Sequence, residues 1–153
     1  MENAVAEGTI RSTESTASPA EVFAVAVDLQ RYPEWAAGVN SVEVLETDDR
    51  GRPARARFEI DGFVKRIAYE LRYAYDEPHR MEWWAVPGAD IREMHGSYEF
   101  RQVEGGGTEI VYALLVEPAF TVPGFLRRQA EKQIVSSALR GLRRRAEGAQ
   151  AGA

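Results

Sequence analysis

The chain has 153 residues, enough for one domain with a sizeable core, and its 44% hydrophobic and 28% charged content is that of an ordinary soluble globular protein. With no cysteine it has no disulfide framework, no thiolate nucleophile and no cysteine metal site. Residues 1–7 have neither the basic nor the apolar segment of a signal peptide, and no apolar run approaches the roughly 20 residues of a membrane span, so we expect a cytoplasmic monomer or homodimer.

Residues 8–16 form a polar, β-branched run suited to an edge strand. A helix is then announced. Ser18 can cap it, Pro19 suits its first position, and Glu21 completes a capping box three residues after the cap. Val22, Phe23, Val25, Ala26 and Leu29 give this helix an apolar face. It stops before Pro33, and Tyr32-Pro33-Glu34-Trp35 opens a second short helix or turn that ends near Gly38. Trp35 then guards a cavity mouth or packs beneath it.

Six further strands follow, several with clean alternation. Val42 and Val44 face one way in the first. In the second, Ala54, Ala56, Phe58 and Ile60 oppose Arg55, Arg57, Glu59 and Asp61; in the third, Ile67, Tyr69, Leu71, Tyr73 and Tyr75 form the apolar row. Met81, Trp83 and Ala85 continue it, then Met94, Gly96, Tyr98 and Phe100, then Ile110, Tyr112, Leu114 and Val116 beyond the Gly105-Gly106-Gly107 turn. One apolar and one charged face per strand, with short connections, predict an antiparallel meander solvated on one side. Trp84, Val111, Ala113 and Leu115 are apolar residues on the outer side.

The last element is a long helix from Gly124 to Gly148. Ala130, Ile134, Val135, Ala138, Leu139, Leu142 and Ala146 fall on one arc at 100° per residue, so it must lie along a large apolar surface. Seven positive groups against Glu131 and Glu147 give this segment a net charge of +5, leaving the rest of the chain near −10. Those cations can be a solvated face suited to the helix dipole, or a surface for an anionic membrane, RNA or an acidic carrier protein. Residues 1–148 read as one domain and 149–153 as a disordered tail.

The apolar side of the sheet is aromatic: Phe58, Tyr69, Tyr73, Trp83, Tyr98, Phe100 and Tyr112 all point towards the long helix, among small residues such as Ala54, Ala56, Ala85 and Gly96. Large rims with small floors, and Gly141 on the helix, predict an interior cavity; the alternative is a filled core. Catalytic chemistry is sparse. His79 lies in a turn and His95 on the charged face, while Glu59, Asp61, Glu70 and Glu99 also fall outside, so neither a histidine triad, a metal site nor a carboxylate pair is expected. No cofactor is implied, and the glycine run matches no phosphate loop. The inward phenols of Tyr69, Tyr98 and Tyr112 are the remaining groups able to donate to a carbonyl or enolate.

Certain stretches resemble a known family. They are Ala17-Ser18-Pro19-Ala20-Glu21-Val22-Phe23, Asp28-Leu29-Gln30-Arg31-Tyr32-Pro33-Glu34-Trp35, Tyr73-Ala74-Tyr75-Asp76-Glu77-Pro78, Gly96-Ser97-Tyr98-Glu99-Phe100 and Gly107-Thr108-Glu109-Ile110-Val111-Tyr112. With the element order, they resemble the START-like (SRPBCC) helix-grip superfamily, in its polyketide cyclase/dehydrase and coenzyme Q-binding branch, over roughly residues 8 to 147. The resemblance implies an α+β fold in which a curved seven-stranded antiparallel sheet wraps a long C-terminal helix, with two short helices after the first strand. It implies a small hydrophobic ligand (lipid, quinone or polyketide-like) held between sheet and helix by a carrier or sensor. Candidate ligand-binding residues are Trp35, Phe58, Ile60, Tyr69, Tyr73, Trp83, Met94, Tyr98, Tyr112, Leu114, Phe120, Phe125, Ile134 and Ala138. The same resemblance allows a cyclase/aromatase-type enzyme or a ribosome-associated, toxin-like module contacting RNA through the arginine-rich helix. DNA is not an expected partner.

Overall fold

The computed structural model describes residues 8–62 and 65–151, the side chains of 149–151 excepted. The alternating stretches form seven strands: β1 (Thr9–Ser15), β2 (Val39–Thr47), β3 (Pro53–Asp61), β4 (Arg66–Asp76), β5 (Arg80–Val86), β6 (Ile91–Gln102) and β7 (Thr108–Pro118). They make one antiparallel sheet in the order β1-β7-β6-β5-β4-β3-β2, a meander closed at one side by the first strand. Register irregularities in β2 and near the start of β6 interrupt the ladder where the sheet must curve. The β6–β7 turn has Gly105 and Gly106 both at φ +92°, a conformation side chains with a Cβ seldom adopt.

Among the described residues three helices cover one face, α1 (Pro19–Val27), α2 (Tyr32–Trp35) and α3 (Gly124–Ala151), with a single 3₁₀ turn at Leu29–Arg31. The start of α1 follows from local chemistry. The Glu21 amide donates to Ser18 Oγ at 3.2 Å and the Ser18 amide donates to Glu21 Oε1 at 2.8 Å, so two otherwise orphaned donors are satisfied together. Ser18→Ala is expected to cost about 1 kcal/mol. The check is the urea midpoint, and an unchanged value would mean the cap contributes nothing.

On α1 the buried side is Pro19, Val22, Phe23 and Ala26. Phe23 meets Phe100 edge-on at 6.1 Å and Tyr75 at 6.0 Å, which fills one end of the sheet's inner face. α3 packs against β1, β7 and α1. Its fully covered stripe is Glu131, Val135, Leu139, Leu142 and Ala146. That stripe is rotated from the expected arc: Ile134 is 41% exposed, and a glutamate takes a core position. The Glu131 carboxylate accepts from Thr9 Oγ1 at 2.7 Å and from the Val116 amide at 2.9 Å, with Arg127 at 3.5 Å, and so ties α3 to β1 and β7. The helix also runs to Ala151, into the stretch expected as a tail from 149, because alanine and glutamine continue a helix readily; residues 152–153 lie outside the described residues.

Candidate functional site

The inward rows of β3 to β7 do not close completely on α3. Between them and the segment Tyr32–Val39 lies a cavity of about 160 Å³. Its wall contains Trp35, Phe58, Ile60, Tyr69, Tyr73, Trp83, Met94, Tyr98, Tyr112, Leu114, Ile134 and Ala138. Phe120 and Phe125 lie outside it. Phe120 sits under the Lys65 ammonium at 5.2 Å, and Phe125 is 64% exposed in the first turn of α3. Phe125 precedes Glu131 by six residues, about 120° around the helix from the buried stripe, so its ring points away.

The wall also includes Tyr32, Ala36, Ala37, Gly38, Val39, Asp61, Ile67, Leu71, Ile91 and Val116. Alternation alone placed Ile67, Leu71 and Val116 inward, so they were within reach of the sequence. Residues 36–39 carry no periodic signal, and only the path of the chain brings them to the cavity.

Aromatic rings build most of the wall. Phe58 and Tyr69 stack at 5.5 Å with planes 7° apart, and Trp83 touches Tyr73, Tyr98 and Tyr112 at 6.0, 5.3 and 5.7 Å. Trp83 also corrects the expected role of Gly96 as open floor. A Cβ on Gly96 would stand 2.2 Å from the Trp83 indole, so the glycine's space is already filled by that ring. Gly141 is likewise a close approach and not a void, with a built Cβ 2.6 Å from the Trp35 carbonyl oxygen.

Polar chemistry in the cavity is almost all phenol. Tyr32 donates its hydroxyl to the Ala26 carbonyl, and Tyr75, outside the wall, donates to the Pro53 carbonyl at 2.6 Å. The hydroxyls of Tyr69, Tyr73, Tyr98 and Tyr112 make no hydrogen bond to a described residue. Burial pushes all four phenols well above their ordinary pKa, so they stay neutral donors at physiological pH. Asp61 is the carboxylate of the wall; it is exposed at the rim, where it accepts from Asn40 Nδ2 at 3.0 Å. His95 lies on the opposite face of the sheet, stacked on Trp84 at 5.5 Å with Nε2 2.6 Å from Glu82 Oε2. Among the described residues no group of three or more His, Asp or Glu is arranged to hold a metal ion.

A curved seven-stranded antiparallel sheet gripping a long C-terminal helix over an apolar cavity defines a START-like protein. The chain belongs to the family described as polyketide cyclase/dehydrase and lipid transport, whose match spans residues 9–147. Among solved structures it is similar to a START superfamily protein from Mycobacterium smegmatis, with a TM-score of 0.85 at 17% identity over 94% of this chain and 99% of that one. The Zhui aromatase/cyclase from Streptomyces sp. R1128 superposes with a TM-score of 0.78 at 14% identity, over 92% of this chain and 93% of that one. A STAR-related lipid transfer protein from Xanthomonas axonopodis gives 0.70 at 16% identity, over 90% of this chain and 84% of that one. No curated protein matches the sequence. Among the described residues no helix is long and apolar enough to cross a membrane.

Proposed function

We propose that this protein is a carrier or sensor that holds a small, neutral, hydrophobic ligand bearing oxygen acceptors between its sheet and α3. The observation that carries this reading is the cavity's lining: apolar and aromatic, with four phenol hydroxyls that have no described protein partner. A ligand carbonyl or ether oxygen gives those donors an acceptor, while the rings supply contact area. The family description, which joins cyclisation and lipid transport, is compatible with such a ligand. A quinone or a polyketide-like ring suits the donors better than a saturated hydrocarbon.

A second reading, a cyclase/aromatase-type enzyme, has the family description in its favour. It ranks lower because burial moves the phenols away from the pKa near neutrality that acid–base catalysis needs. A phenol could still act as an oxyanion donor, and mutation separates the two roles. If binding is the function, Tyr69→Phe, Tyr98→Phe and Tyr112→Phe should each weaken affinity by about 0.5–1.5 kcal/mol, the net worth of a neutral hydrogen bond. If one phenol stabilises a developing charge, its loss should cost about 10²–10³ in turnover with affinity nearly intact. Native mass spectrometry of the freshly purified protein identifies a co-purifying ligand for the titrations, and a poly-ketone mimic serves for turnover. A selective turnover loss of that size at one tyrosine would replace the carrier reading with the catalytic one.

The exposed cations of α3 support a partner contact more weakly. Arg128, Lys132 and Arg144 have no carboxylate partner among the described residues, as befits either solvation or an anionic surface. An RNA-contacting role rests on that charge alone and ranks last.

A further inference from the structure

Trp35 borders two cavities, not one. Beyond the inner chamber of about 160 Å³ lies an outer cleft of about 350 Å³, between α1 and the C-terminal half of α3, bordered by Glu21, Ala24, Val25, Asp28, Arg31 and Arg145. Trp35 is the one residue common to both linings.

Packing holds it there. Its ring lies 4.8 Å from the Tyr32 ring, centroid to centroid, and its Cε3 stands 3.0 Å from where a Cβ on Gly141 would be. The absent side chain at Gly141 is what lets α3 close on the tryptophan. The neighbouring Glu34 is tied to Arg145 of α3 at 2.7 Å and to Arg31 at 3.3 Å. By contrast, the indole N–H is buried without a hydrogen-bond partner, which is rare for a buried polar atom. The position of the ring is thus set by its bulk between α2 and α3, not by its polar atom.

We propose that Trp35 is the specificity-determining partition of the site: it seals the inner chamber from the outer cleft and limits the ligand to a compact molecule of about one ring. Scale supports the limit, since an engineered cavity of about 150 Å³ in another protein holds benzene. With the partition in place, a chain attached to the ring cannot reach the cleft beyond it. Without it, the chain passes into the cleft along Ala24 and Val25, within a border that also carries Glu21, Asp28, Arg31 and Arg145. This inference rests on the cavity-binding reading above and narrows it to compact ring ligands over long-chain lipids.

The test is calorimetric titration with alkyl phenyl ketones of increasing chain length, from acetophenone to dodecanophenone. A methylene that becomes buried strengthens binding about fourfold, and one left in water adds nothing. In the wild type, affinity should level off after the first few carbons. In Trp35→Ala it should keep rising by about that factor for several carbons more, and Ala24→Phe in the Trp35→Ala background should restore the plateau by filling the cleft. Trp35→Phe, which keeps the bulk and loses the N–H, should level off with the wild type. Trp35→Leu serves in place of the alanine variant if circular dichroism shows the latter unfolded. Identical chain-length profiles in the wild type and the folded small-residue variant overturn the partition, as does a Trp35→Phe profile that keeps rising with the small-residue variant's. If the wild type binds no ketone of the series, the cavity-binding reading itself fails.

Discussion

Raised through pH 10, the native protein will show almost no phenolate absorbance until it unfolds, and phenolate will then appear together with the loss of the far-ultraviolet helix signal. Five of the six tyrosines, Tyr32, Tyr69, Tyr73, Tyr98 and Tyr112, stand in the cavity wall, and burial is the first cause of the upward shift at each. An unfolded phenol ionises near 10.0, whereas the folded one resists. The stabilisation these groups contribute is therefore complete below pH 10 and is lost as pH climbs towards their folded values. Each withholds about 1.4 kcal/mol per pH unit in that window. Five together approach roughly 7 kcal/mol per unit, comparable with the 5–15 kcal/mol stability of an ordinary domain. Alkaline unfolding should thus fall within about one to two units above pH 10. Stepwise ionisation near pH 10 with the helix signal intact would mean that water reaches the phenols freely, and the cavity would have to be redrawn as an open groove.

Glu131→Ala should be the most damaging single change on α3, at about 3 kcal/mol. The carboxylate is 2% exposed and accepts from two donors on different strands, the Thr9 hydroxyl and the Val116 amide. Its removal leaves both donors without their acceptor and Arg127 without its carboxylate, and an unsatisfied buried donor costs about 1–3 kcal/mol. Glu131→Gln keeps an amide oxygen for one of the donors and should lose about half as much. Urea denaturation at constant slope measures both variants. If the alanine variant matched the wild type, the bonds from α3 to β1 and β7 would have no share in stability.

Glu131 also marks where local reading and the folded molecule part. The spacing 131, 135, 139, 142, 146 is that of a helix stripe, so a core position could be read from the numbers alone; the charge at its head argued against it. What puts a carboxylate there is the placement of Thr9 and Val116, which lie 122 and 15 residues away along the chain respectively. Ser18 and Glu21 are the opposite case. Both partners of that capping box lie within one turn, and the structure forms the bonds the spacing implies.

The strands and the long helix were determined by the sequence itself, because a period of two or of 3.6 is a property of neighbouring residues and needs no partner to be visible. The direction of the cavity tyrosines follows from the same alternation. Whether an inward position meets a void or another side chain was decided only in three dimensions. Gly96 is small because the Trp83 ring of the adjacent strand occupies its space, and Gly141 is small because Trp35 of α2 lies against it. Phe125 is as apolar as Phe58, yet it stands about 120° around α3 from the buried stripe, so one ring faces outward and the other lines the chamber. The division of the interior by Trp35 belongs to the same kind of fact: it depends on α1, α2 and α3 converging from distant parts of the chain, and close packing among them leaves no periodic trace in the residues that make it.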